Sequence, residues 1–258
     1  MHIVPVIDLL EGRVVRAVRG ERQRYRPVVS TLCRSAAPPA VAQVLCEHCA
    51  TDTLYVADLD ALQGRPVQVE ALAALLQAQP ELQLWLDAGF AARTDFEALQ
   101  RALGPGSARV IPVYASESLR SADELLRCFA TPAQGLLSLD RRGGRPLDRA
   151  GVWAAPDRWP QRLIVMTLDR VGSAEGPDLD ALAAVRERAP QARLVGAGGV
   201  RDVADLQAAS AAGADAWLVA SALHDGRLDR AALRELATQC AGAEAADPAA
   251  ATQCRVVV

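Results

Sequence analysis

The sequence predicts an α/β chain folded as one (β/α)8 TIM barrel built from two duplicated half-barrels, and three observations carry that expectation. Short β-branched runs alternate with Ala/Leu-rich amphipathic stretches along the chain. Several of the β-like runs are continuously apolar, as strands covered on both faces are. Short strings also recur in the same order in the two halves. "IDLLEGR" (7–13) returns as "LDRRGGR" (139–145), "LWLDAGFAAR" (84–93) as "LVGAGGVRD" (194–202), and "VYAS" (113–116) as "LVAS" (218–221). An open sheet has no reason to show such an ordered repeat.

In chain order, the apolar run 2–7 reads as the first strand. The segment 20–39 that follows is polar and Arg-rich, and in a barrel it lies at the C-terminal mouth. Residues 39–49 have helical periodicity. Strands are expected at 53–57, 82–87, 108–113, 135–139, 162–168, 192–197 and 216–220. Helical patterns fill 67–79, 94–102, 118–129, 178–189, 203–211 and 230–239. One barrel domain is expected over 1–240, followed by an Ala-rich tail at 241–258.

A chain of 258 residues with 51% hydrophobic residues can bury a large core, and disorder is excluded as its main state. A formal charge of -3 without an Arg run interleaved with aromatics gives no nucleic-acid signature. Apolar runs are broken by charge before membrane-spanning length, and "MHIVPVIDLL" lacks a basic lead, so the expected location is the cytoplasm. All 28 basic residues are Arg, which excludes a Schiff-base lysine. Cys46-Glu47-His48-Cys49 has the spacing of half a metal site, but no second cluster completes a tetrahedron; the expectation is packing, with no metal and no cofactor.

Barrel enzymes hold their reactive groups at the C-terminal ends of strands. Carboxylates occupy those places repeatedly: Asp8, Asp58 and Asp60, Asp87, Asp140 and Asp169. Each could merely cap a turn. Asp8 and Asp140 fall at equivalent places in the two halves and would face each other across the mouth, where paired carboxylates serve as base and acid. Successive glycines in "GAGGVRD" let backbone N–H groups approach an anion, making Gly198 and Gly199 candidate phosphate ligands, completed by Ala220 and Ser221 after the eighth strand. The repeat predicts a second, opposed anion site at Gly89 and Ser116. Arg16 and Arg19 of the first loop join the candidate substrate ligands, so a small molecule phosphorylated at both ends would suit the mouth. The sequence leaves the oligomeric state open.

"PVIDLLEGRVVRAVRG", "YVADLDALQG", "LLSLDRRGG" and "GAGGV" together resemble the histidine-biosynthesis barrel family, over about 3–236. "VIDL" and the Arg at position 16 are similar to the isomerase branch rather than the cyclase branch. The resemblance implies aminoaldose–aminoketose isomerisation of a bis-phosphorylated ribotide by acid–base chemistry, with Asp8 as base and Asp140 orienting the substrate. The family's sixth-strand motif, Thr-Asp-Ile-x-Arg-Asp-Gly-Thr, sets Arg170 and Gly172 in register as binding residues. The acid falls on Val171, an aliphatic side chain. Asp169, two residues earlier, shares strand parity with Val171 and is the candidate replacement. The third-strand glycines of the family appear as Asp87-Ala88-Gly89, and the eighth-strand Val-Gly as Val219-Ala220. Three readings stay open: a paralogue acting on another phosphorylated metabolite, a histidine-pathway isomerase with a relocated acid, and a non-catalytic phosphate-binding scaffold. The loop "VRGERQRYRP" is similar to a divergent subgroup associated with one-carbon pterin cofactor pathways, which favours the first.

Overall fold

A computed structural model describes residues 1–16, 25–130 and 135–236. Arg19, the last residues of the helix expected at 230–239, and the tail 241–258 lie outside the described residues.

Eight parallel strands form the barrel: β1 His2–Leu10, β2 Thr53–Asp58, β3 Gln83–Asp87, β4 Val110–Ala115, β5 Leu136–Arg142, β6 Arg162–Thr167, β7 Arg193–Ala197 and β8 Ala216–Val219. Each pairs with the next, and β8 returns to β1 with His2 opposite Ala216, so the sheet closes without an edge. The helices outside are α1 Pro38–Cys49, α2 Val69–Ala78, α3 Arg93–Leu103, α4 Ala122–Cys128, α5 Leu179–Arg188, α6 Val203–Ala211 and the single turn α7 Ser221–His224, with residues 230–236 also helical. Between β5 and β6 two 3-10 turns, Val152–Ala154 and Pro156–Arg158, stand in place of a helix.

Strand period two divides the core into two layers. Leu54, Leu84, Leu86, Leu137, Leu163 and Trp217 pack outward against the helices. Val4, Tyr55, Trp85, Val113, Leu136, Ile164, Val195 and Leu218 fill the interior of the barrel. The same alternation decides which residues face the mouth at the upper ends of the strands. Asp8, Ala57, Asp87, Ala115, Asp140, Met166 and Ala197 all carry the inward parity of their strands.

Two boundaries differ from the sequence reading in ways that matter for the site. The fourth strand starts two residues later than expected because Gly104–Arg109 folds as a 3-10 turn. The sixth ends at Thr167, and Leu168–Arg170 is a 3-10 turn rather than strand. Strand parity therefore does not extend to Asp169.

After β1 and after β5 the chain makes the same device, a hairpin through a two-residue turn. Leu10 pairs with Arg13 around Glu11 and Gly12, and Arg142 with Arg145 around Gly143 and Gly144. All four turn residues have positive φ, as a type I′ turn requires. Three helices start on the side chains that suit that place: Ser121, Asp178 and Asp202 accept from Glu124, Ala181 and Asp205 N–H.

Candidate active site

Asp140 ends the inward face of β5 and is 4% exposed. Its Oδ1 accepts from the Ser138 hydroxyl at 2.6 Å, and its backbone N–H donates to Ser116 Oγ. Burial, with the charges of Asp87 and Glu117 added, pushes its carboxyl well above the ordinary value and favours the neutral form. Asp8, partly exposed, stands on the inward face of β1, across the barrel from β5.

Asp87 is the third carboxylate of the ring. Its Oδ2 accepts from the hydroxyl of Tyr55 at 3.1 Å, and its Oδ1 from Gly89 N–H at 3.2 Å. Desolvation outweighs those two bonds and pushes the carboxyl up to about 6. Tyr55 is 3% exposed, and its hydroxyl is raised by burial and by Asp87, Asp140 and Asp8 together, so the three carboxylates act on one phenol. The sequence reading takes Asp87 as one strand-end carboxylate among several and gives Tyr55 no role. A signal for Tyr55 is nonetheless there: it shares inward parity with Ala57 in "TLYVAD".

Asp169 is exposed, and its carboxylate accepts from Gly143 N–H at 2.6 Å, tying the sixth-strand loop to the β5 hairpin. Val171 packs instead against the interior cluster of the barrel. The place the family resemblance gives to the acid is thus filled by an aliphatic side chain, and Asp169 is engaged outside it. Arg170 folds back on its own loop, donating to Glu175 O at 2.9 Å with the Glu175 carboxylate at 3.6 Å. Gly172 is exposed at φ 68.

The candidate anion ligands separate into two unlike groups. On the β7–β8 side, Gly198 (φ 81), Gly199 (φ 83) and Ser221 have backbone N–H groups with no protein acceptor among the described residues, and Ala220 precedes α7. Close packing fixes the turn: a Cβ at Gly199 would lie 2.0 Å from Gly176 O, and Gly176 N–H donates to Gly199 O at 3.0 Å. Arg16 makes a two-pronged pair with Asp225 at 2.7 and 2.9 Å, and Arg227 reaches the same carboxylate at 3.1 Å. On the β3–β4 side, Ser116 is fully buried, with Oγ donating to Leu147 O at 2.8 Å and its N–H to Ser138 O. Ser116 is a structural brace under Asp140.

The remaining carboxylates are structural. Asp58 accepts from the N–H groups of Asp60, Ala61 and Gln68, and Asp60 accepts from Glu11 N–H and Arg65. Burial pushes the thiols of Cys46 and Cys49 up to about 12, which keeps them protonated. His224 is buried, its Nδ1 3.0 Å from Ser30 Oγ, and burial holds it down at about 4, a neutral ring that pins the 28–31 segment to α7. A large concavity lies at the opposite end of the barrel, lined by His2, Gln83, Arg162 and Arg193 from the starts of the strands. It is remote from the carboxylate ring.

The fold and the ring define a single-chain (β/α)8 barrel with its titratable groups gathered at the C-terminal mouth. The chain belongs to the family described as Histidine biosynthesis protein, whose profile matches residues 2–229. It is 29% identical over 232 residues to an uncharacterized protein of Methanocaldococcus jannaschii, covering 89% of this chain and 96% of that one. It is 31% identical over 251 residues to a protein of Dinoroseobacter shibae, covering 90% and 97%. A protein of Rhodospirillum rubrum is 32% identical over 250 residues, with the same coverage. Both are named as 1-(5-phosphoribosyl)-5-(5-phosphoribosylamino)methylideneamino imidazole-4-carboxamide isomerases. Among the described residues no helix is long and apolar enough to cross a membrane.

Proposed function

We propose that this chain is an acid–base isomerase of a phosphorylated sugar or ribotide, and that its substrate is not the ribotide named for the isomerase relatives. Moving a carbonyl along a sugar requires a base to take a proton from the carbon beside it and an acid to protonate oxygen. Asp8 is the base in this reading, at the end of β1 and open to the mouth. Asp140, whose carboxyl is pushed upward by burial, holds the substrate through a hydrogen bond. The Gly198–Gly199 turn takes a phosphate on its backbone N–H groups. The family resemblance and the isomerase relatives support the reaction class. The likeness of the first loop, "VRGERQRYRP", to the divergent subgroup associated with one-carbon pterin cofactor pathways supports a substrate from such a pathway.

The observation that carries the paralogue reading is Val171, seated on the interior cluster where the acid of the isomerase would stand. Loss of an acid costs roughly 10²–10⁴-fold in rate. The purified chain, given the ribotide of the isomerase relatives, is therefore expected to turn it over at least a hundredfold more slowly than such an isomerase assayed beside it. Its gene is expected not to rescue a histidine auxotroph lacking that enzyme. Turnover at the rate of the reference isomerase would overturn the paralogue reading. Loss of that turnover in Asp8→Asn would then identify the chain as a histidine-pathway enzyme with a relocated acid.

A further inference from the structure

We propose that the mouth takes a substrate with one phosphate, held on the β7–β8 side, whose far end is uncharged or cationic and donates a hydrogen bond to Asp87. This deepens the reading above and rests on it, since it takes the Gly198–Gly199 turn as the phosphate seat.

The first reason is the supply of N–H groups. At the two positions where the repeat predicts a second anion site, the amides are already spent. Gly89 N–H donates to Asp87 Oδ1 at 3.2 Å, and Ser116 N–H donates to Ser138 O at 2.8 Å. Beyond Ser116, Glu117 N–H points to Asp140 Oδ2 at 3.5 Å, while Ser118 and Leu119 donate to Ala115 O at 2.9 and 3.0 Å. The matching amides of Gly199 and Ser221 have no protein acceptor among the described residues. A phosphate needs several donors at once, and among the described residues Gly198, Gly199 and Ser221 supply them together on the β7–β8 side.

Charge is the second reason. Glu117 is close enough to raise the cost of charge on Asp87, and Asp140 feels both. A phosphate dianion placed between β3 and β4 would meet the charges of Asp87 and Glu117, and like charges repel. The basic residues that follow on that side are committed: Arg93 pairs with Glu97 at 2.9 Å and Arg120 with Asp95 at 3.8 Å. Beside the β8 end, Arg16 and Arg227 share one carboxylate, Asp225. The mouth is therefore polarised across its width, with anion donors at one side and hydrogen-bond acceptors at the other. A sugar hydroxyl or an amine reaching Asp87 would complete the lone pairs that Tyr55 and Gly89 N–H leave on its oxygens.

Calorimetry on the full chain with ribose 5-phosphate and ribulose 1,5-bisphosphate as probes, and inorganic phosphate as reference, tests the proposal. The bisphosphate is expected to bind no more than about threefold tighter than the monophosphate. Asp87→Asn, which removes the charge at constant shape, is expected to shift the ratio at least tenfold toward the bisphosphate, with Asp87→Gly as a second variant. Circular dichroism melts certify that each variant is folded. A wild-type preference of tenfold or more for the bisphosphate, or a ratio unmoved by both folded variants, would overturn the inference while leaving the phosphate seat and the proposed function intact. Failure of all three probes to bind would overturn both.

Discussion

Asp87 places a carboxylate where its own charge is unwelcome, and that has a measurable sign. Its folded value lies near 6, above the ordinary 3.8. Between those two pH values the folded chain keeps a proton that the unfolded chain has lost. Stability from this group is therefore present at low pH and declines as pH rises through that window. At neutral pH the ionised carboxylate costs about 3 kcal/mol by that linkage. Asp87→Asn is expected to raise the melting temperature at pH 7.5 and to match the wild type near pH 4, as a pair of thermal melts would read. His224 runs the other way: its value is depressed to about 4, so its contribution is present above the ordinary histidine range and fades as pH falls. Asp8 and Asp140 could be read from the chain because a strand end and its parity are local properties. Asp169 could not, because one turn of 3-10 helix after Thr167 uncouples side-chain direction from strand counting. The role of Tyr55 emerges only when β2 and β3 are laid side by side, with Tyr55 opposite Trp85 and Asp87 two residues further on.

At the scale of elements, the seventh strand and its turn are held by close approaches that leave no room for a side chain. A Cβ at Gly196 would lie 2.1 Å from the ring of Trp217, which crosses the strand on its helix-facing side. One at Gly199 would meet Gly176 O, and its φ of 83 adds backbone strain. Gly12, in the β1 hairpin, shares the positive φ, but a methyl added there would meet nothing within 4 Å. Gly12→Ala is expected to lose about 1 kcal/mol, the cost of the left-handed backbone alone. Gly199→Ala is expected to lose about 2–3 kcal/mol in urea titrations and, in calorimetry, at least tenfold in inorganic phosphate affinity. Glycine, strand and helix signals place most elements within two residues, because turn chemistry and apolar period are written locally. The fifth helical layer is not legible, since "GVWAAPDRWP" folds as two short turns fastened by Trp153 and Trp159, which meet edge to face at 6.2 Å.

Over the whole molecule, closure of β8 on β1 turns the inward faces of β1, β3 and β5 toward one mouth, where their three carboxylates act on the same phenol. The closed barrel is foreseeable from eight alternating units. The polarity of the mouth is not, because it depends on which amides the loops have already used. Those loops are cross-fastened around the described rim. Arg16 ties the first hairpin to Asp225 after β8, Ser30 meets His224, Gly176 joins Gly199, and Asp169 holds Gly143. The Asp169 fastening converts what looks like a spare acid into a timekeeper for the rim. The Gly143 amide proton, shielded by a carboxylate, should exchange with deuterium slowly for an exposed hairpin, and Asp169→Ala should speed that exchange severalfold in hydrogen–deuterium mass spectrometry. If the proposed isomerase activity is found, its pH–rate profile should stay where it is in Asp169→Ala, because that reading assigns proton transfer to other residues.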